Sequence, residues 1–251
     1  MNPLPVLISL CMAFSLSAQD TKDIDGRALA ICDRMSDVIG DLSSCSFTVK
    51  SVTDVSRNHV NTPIAGNGLI TRHRTSDVYF SGHNNLMVDM HGDRGHVTIW
   101  YDGYDVSMYS YHENNYITVQ APDSTVNMMY AIYDKYGIEF PAADFFNPHF
   151  TDDLITNMNS VQLVGRTEVD GRKAFHIVAR NDEMNVEFWF SDDGLMLPVK
   201  MRIAYLQAEG SPRHDVTFSK WALNPNLPGA MFSFSAPVNA RKVSIGTNTS
   251  N

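Results

Sequence analysis

The strongest constraint in this chain is an alternation of side chains that restarts after short turns. It runs through Phe47-Thr48-Val49-Lys50-Ser51, Leu69-Ile70-Thr71-Arg72-His73, Leu86 to His91, Val97 to Tyr101, Tyr104 to Tyr109 and Ile117-Thr118-Val119. A period of two sends successive side chains to opposite faces of a strand. Between the runs lie Gly66-Asn67-Gly68, Gly82-His83-Asn84-Asn85, Gly92-Asp93-Arg94-Gly95, Asp102-Gly103 and Asn114-Asn115. These are turn-forming residues, and connections this short leave no room for the crossover that parallel neighbours need. The expectation is an antiparallel meander.

Helical spacing brackets that meander. Ile24, Ala28, Ile31, Met35, Val38 and Leu42 fall three or four apart, which predicts a helix over Asp23–Leu42 with Gly40 as a stop signal. In mid-chain Asp123 or Ser124 can cap a second helix carrying Val126, Met129, Tyr130, Tyr133 and Tyr136, and Gly137 ends it. Pro141 opens a short helix over Ala142–Phe146, closed by Asn147-Pro148, and Thr151-Asp152-Asp153 can start another. Strands then resume at Val161–Val169, Ala174–Ala179, Val186–Phe190, Val199–Tyr205 and Val216–Trp221. A sheet of about eleven short strands twists and curls. The fold class expected is therefore α+β: a large, strongly curved antiparallel sheet, a half-open barrel, with an N-terminal helix and a mid-chain helical insertion covering its concave face.

Charge and leader bound the setting. The formal net charge is −9, and no basic stripe is present to neutralise phosphates, so nucleic acid is excluded as a partner. Leu4–Leu16 is apolar and shorter than a bilayer span, and small residues at Ser15, Ser17 and Ala18 mark its end before the polar Gln19-Asp20. This reads as a cleavable signal peptide over residues 1–18, ahead of one domain over 19–245 and a flexible tail over 246–251. The expected location is periplasmic or secreted. An oxidising compartment permits a bridge between Cys32 and Cys45. A helix from Cys32 to Gly40 rises about 12 Å, and five extended residues can return that far; two buried thiols are the alternative.

Several stretches resemble known families. Tyr101-Asp102-Gly103, an alternating strand, a turn and then Tyr116 resemble the periplasmic lipoprotein carriers of the LolA/LolB kind. YGIEFPAADFF (136–146), DGRKAFHIVAR (170–180), EFWFSDDGLMLPVKMRIAY (187–205), Trp221 through Pro225 and MFSFSAPVNARKV (231–243) resemble, in that order, a family of predicted periplasmic proteins of unknown function grouped with that fold. The resemblance covers roughly residues 24–245. It implies a curved sheet with helices on its concave face and an apolar pocket. Lining up Leu69 puts His73 where the carriers have an arginine, so no functional residue is carried over.

Motifs for chemistry are sparse. G-x-S-x-G, a P-loop, a complete G-x-G-x-x-G and H-E-x-x-H are all missing from the sequence. His91, Asp93 and His96 surround one turn and could in principle converge on a metal, but a polar hairpin loop is the favoured reading. Asp152-Asp153 and Asp192-Asp193 sit where caps and turns are expected. His176 lies on a strand beside Phe175 and Ile177. The reading is non-enzymatic, with no cofactor and no metal.

Methionine is frequent on both strands and helices, and its flexible thioether suits surfaces that accept varied apolar partners. The function expected is that of a monomeric binding protein holding an apolar ligand, such as a lipid, an acyl chain or an acylated polypeptide, with transient contact to membrane or envelope protein. Residues expected to line the cavity are Val49, Leu69, Val88, Ile99, Val106, Met108, Phe188, Met201 and Ile203. An envelope partner-binding module with a filled core is the alternative, and a hydrolase using the His91/Asp93/His96 turn or His176 is a third.

Overall fold

The computed structural model describes residues 22–56, 68–138, 140, 143–244 and 246. The leader over 1–18, the Gly66-Asn67 turn, the helix entry at Pro141-Ala142, and the tail apart from Gly246 lie outside the described residues. Among the described residues three α-helices are present: α1 (Gly26–Gly40), α2 (Thr125–Tyr136) and α3 (Phe150–Asn157). The strands are β1 (Asp23–Ile24), β2 (Ser44–Ser56), β3 (Leu69–Ser81), β4 (Asn85–Gly92), β5 (Gly95–Tyr101), β6 (Asp105–Ser110), β7 (Asn115–Gln120), β8 (Ser160–Val169), β9 (Arg172–Arg180), β10 (Met184–Ser191), β11 (Pro198–Tyr205), β12 (Arg213–Leu223) and β13 (Arg241–Lys242).

These strands form one sheet in the order β1-β8-β9-β10-β11-β12-β2-β3-β4-β5-β6-β7-β13. The sheet does not close, because β1 and β13 are different edges. The expected α+β class is found, and the hairpins from β3 through β7 and from β8 through β12 are antiparallel. The two additional strands are two-residue pieces paired in parallel, β1 with β8 and β13 with β7. They are too short to give a periodic signal. The helix expected over Ala142–Phe146 is a 3-10 turn over Ala143–Phe146, since a residue before proline, here Asn147, is pushed out of the α region.

The cap signals behave as their chemistry dictates. Ser124 Oγ accepts the Asn127 N–H at 3.3 Å. Gly137 takes the left-handed conformation at φ 68° and its N–H bonds back to Tyr133 O at 2.7 Å. Asp25 caps α1: its Oδ1 accepts the Arg27 N–H at 2.8 Å and its Oδ2 accepts the Arg27 guanidinium at 2.8 Å. Those two bonds, the side-chain one first, hold its carboxyl down at about 2. A depressed carboxylate contributes stability above its ordinary range and loses it as the pH falls. Fraying of the α1 N-terminus, read by amide exchange, should therefore grow as the pH drops from about 4 to about 2. Asp25→Asn, which still caps, should flatten that dependence.

The described chain clusters into two compact units. The first comprises the described residues within Met1–Asp41, Ser51–Arg72 and Asp144–Thr217; the second comprises those within Leu42–Lys50, His73–Ala143 and Phe218–Asn251. In the first unit, register aligns Leu163, Ile177, Phe188, Met201 and Val216 in one cross-strand row. Directly opposed residues share a face, so this row is one apolar stripe. Its counterpart in the second unit is Val78, Val88, Ile99, Met108 and Ile117.

Among the described residues, each unit encloses one cysteine. Cys32 lies on the buried stripe of α1 and Cys45 lies at the start of β2, and both are free thiols. The bridge that the spacing allows is not made; each thiol is packed into the core of its own unit. Burial pushes both thiols well above their usual range, Cys45 to about 12, with the Asp33 charge adding to the effect at Cys32. A buried thiol with little thiolate is inert. A thiol reagent should therefore leave the native mature protein unlabelled and titrate both cysteines once it is denatured; a bridged pair would titrate neither without reductant.

Candidate functional site

In the first unit, the apolar row is covered by short helical pieces. The 3-10 turn supplies Phe145 and α3 supplies Phe150, and both rings meet the aromatic pair Phe188 and Phe190 on β10. Phe145 lies 6.1 Å from Phe188 and 6.1 Å from Phe190, edge to face. Phe150 lies 5.5 Å from Phe188, also edge to face. Such T-shaped pairs are favourable beyond the area they bury. Helix α1 packs against α3 and against β8. Between the helical pieces, a cleft lined by Asp144, Asn147, Phe150, Asp153, Leu154 and Met158 holds about 10 Å³. That is the room of one water and not of a hydrocarbon chain.

In the second unit, the sheet is covered on the face opposite the apolar row. Met87, Trp100, Ser107 and Thr118 are opposed across β4 to β7, as are Asp89, Thr98, Tyr109 and Tyr116. The chain segment from Gly229 to Phe234 lies over them. Phe234 sits 5.1 Å from Trp100, 5.1 Å from Tyr116 and 6.4 Å from Tyr109, and Phe232 is buried. This is why β5 and β6 carry aromatics on their second face. A cavity of about 150 Å³ remains there, lined by Trp100, Asp102, Asp105, Ser107, Thr118, Phe232 and Phe234. Two carboxylates in its wall make it unsuited to a hydrocarbon. The neighbouring turn is fixed by Asp102, whose Oδ1 accepts the N–H groups of Tyr104 and Asp105 at 3.1 and 3.0 Å. Gly103 holds φ 95°, and a Cβ there would meet Asn84 Nδ2 at 2.6 Å.

The expected lining residues divide between the units. Val49, Val88, Ile99 and Val106 in the second unit, and Phe188, Met201 and Ile203 in the first, are buried. Met108 is half-buried on the second unit's row. Leu69 is half-buried and packs on the turn at Gly210, 3.2 Å from where a Cβ would stand.

The residues considered for chemistry have structural partners. Asp93 accepts the His73 N–H through Oδ2 at 2.7 Å and so closes the hairpin end. Asp192 meets Arg166 at 2.8 Å, Asp193 accepts from Ser191 and from the Leu195 N–H, and Asp153 accepts from Asn147. His176 Nε2 lies 2.8 Å from Glu187 Oε2, with its ring stacked on Trp189 at 4.5 Å. Sequence reading missed Asp89, which stands between His91 and His96. Partial burial raises its carboxyl, but bonds from Thr98, His96 and His91 outweigh that and leave it below the usual range. The signal was available, since residues two apart on a strand share a face.

No curated protein sequence matches the chain. Among solved structures, an uncharacterised conserved protein from Thermus thermophilus is 15% identical, with 86% of this chain and 98% of that one covered at a TM-score of 0.49. The lipoprotein LppX of Mycobacterium tuberculosis is 15% identical, with coverage of 81% and 98% and a TM-score of 0.47. A LolA superfamily protein from Nitrosomonas europaea is 10% identical, with coverage of 82% and 97% and a TM-score of 0.35. Likenesses this distant transfer no residue's role. A family model, by contrast, matches residues 28–246, nearly all of the chain beyond the expected leader, and its description agrees with the periplasmic location read from that leader. The chain belongs to the DUF2092 family of predicted periplasmic proteins.

Proposed function

We propose that this is a periplasmic, non-enzymatic binding protein for an apolar ligand: a lipid, an acyl chain or an acylated polypeptide. The ligand is taken up against the first unit's apolar row when the short helical cover moves aside. The protein acts as a monomer and exchanges its ligand through transient contact with membrane or envelope protein. The observation that supports this reading is the nature of the cover. A four-residue 3-10 turn and an eight-residue helix seal Phe188 and Phe190, and helices so short owe their stability to packing. Helices α1 and α3 each also hold a buried hydroxyl, Ser36 Oγ and Thr151 Oγ1, without a partner among the described residues. Each such group costs about 1–3 kcal/mol, so the cover is held less firmly than its buried area suggests.

Magnitudes define the ligand. Lifting Phe145 and Phe150 off the sheet exposes two aromatic side chains at about 1.5–3 kcal/mol each. Burying methylenes returns about 0.8 kcal/mol apiece. Ligands with fewer than about four to eight methylenes therefore leave the cover closed, and longer chains open it. Calorimetric titration with fatty acids from butyrate to palmitate, and with an acylated peptide, tests this. Affinity that rises with chain length after a threshold is expected; titrations silent at every length at two well-separated temperatures, where the heat-capacity change of apolar burial would give heat, would refute it.

The cleft of about 10 Å³ favours a second reading, an envelope partner-binding module whose core is permanently filled. In that case the same titrations are silent.

A further inference from the structure

We propose that Asp89, His91 and His96 form a binding site for a divalent transition cation of the zinc class, on the second unit's sheet. This site is independent of the apolar-ligand reading and lies on the opposite face from the second unit's apolar row. The two histidines face each other in register across the β4–β5 hairpin, and Asp89 is two residues before His91 on the same strand face. One donor atom from each residue falls within 4.8 Å of the others. Two imidazoles and a carboxylate make a donor set of borderline softness, which suits zinc, nickel or copper better than calcium or magnesium.

Each histidine already stands close to zinc spacing from the Asp89 carboxylate. Zinc bonds of about 2.0–2.2 Å at a tetrahedral angle separate neighbouring donor atoms by about 3.4 Å. His91 Nε2 already lies 3.3 Å from Asp89 Oδ2. His96 Nε2 lies 2.6 Å from Asp89 Oδ1, so that pair opens by less than an ångström to admit an ion. Three protein donors leave a fourth position for water or an incoming side chain.

A supporting layer holds the carboxylate in place, while the two stacked imidazoles must splay apart for both to face one ion. Thr98 Oγ1 donates to Asp89 Oδ1 at 2.6 Å and fixes the carboxylate. The Tyr111 ring lies parallel to His96, 3.7 Å between centroids and 2° between planes, and the His91 ring stacks on the other side at 3.8 Å. All of these residues sit on or beside paired strands, which set positions more tightly than loops do. Access is open, since His91 is exposed while Asp89 and His96 are partly covered.

The test is calorimetric titration of zinc chloride, alone, into the mature chain after chelator treatment and in a non-coordinating buffer. One equivalent bound in the micromolar range is expected. His91→Asn, at an exposed position that tolerates change, and His96→Asn should each weaken uptake at least about tenfold, and Thr98→Val about ten- to a hundredfold. Circular dichroism confirms that each variant is folded, and His83→Asn on another turn should leave uptake unchanged. Absence of saturable uptake by the wild type, or uptake undiminished in a folded His91→Asn variant, overturns the assignment.

Discussion

Replacing Phe188 by alanine is expected to lower the unfolding free energy by about 3–5 kcal/mol. Its ring is fully buried and sits where the sheet and its helical cover meet, touching Phe145, Phe150 and Phe190. Removing it costs the transfer free energy of the ring together with the void left behind. At this chain length each kcal/mol moves the thermal midpoint by about 2–4 °C, so differential scanning calorimetry should show a drop of roughly 10 °C. A second consequence separates this site from any other core position. Without Phe188 the Phe150 ring of α3 loses its edge-to-face partner and Phe145 keeps only Phe190 in that geometry, so amide protection in α3 should fall further than the global loss of stability explains. A shift below about 1 °C with α3 protection intact would mean that these rings do not seal the cover.

Phe232→Ala is the second large effect, and it acts on the other unit. Phe232 is 1% exposed and lines the 150 Å³ cavity beside Trp100. Its removal enlarges an existing void, which places the cost at about 3–5 kcal/mol. Phe234, two residues on, holds Trp100, Tyr109 and Tyr116 only while this segment stays seated. Loss of Phe232 should therefore free Gly229–Phe232 and its flanks, expose Trp100 and redden its fluorescence. Limited proteolysis should cut in the 229–236 stretch of the variant and spare the wild type. A protease pattern identical in both proteins would show that the segment is held by something other than its phenylalanines.

Much of the fold was legible from local chemistry. Ser124 and Gly137 marked both ends of α2 because capping depends only on neighbouring residues. The strands from β4 to β7 and β8 to β12 followed from alternation and short turns. What could not be read was set by partners far away in sequence. Pairing of β1 with β8 joins residues 23–24 to 160–161, and two residues carry no period. Tyr109 and Ser107 alternate with the core row, and both are buried because Phe232–Phe234 arrive from more than a hundred residues downstream. Asp93 looked like the natural companion of His91 and His96 by proximity, but turn geometry draws it to the His73 N–H, and Asp89 takes the place through strand pairing. The size of the space beneath the helices depends on where two phenylalanine rings point, which no periodicity encodes.

Native mass spectrometry of the mature protein, purified from periplasm without detergent, bears most directly on the central claim. The account predicts a fraction of molecules heavier by the mass of a long-chain lipid, and gain of that mass when the apo form is mixed with palmitate or an acylated peptide. A single apo mass that neither ligand changes, from protein whose calorimetric transition shows it folded, would contradict it.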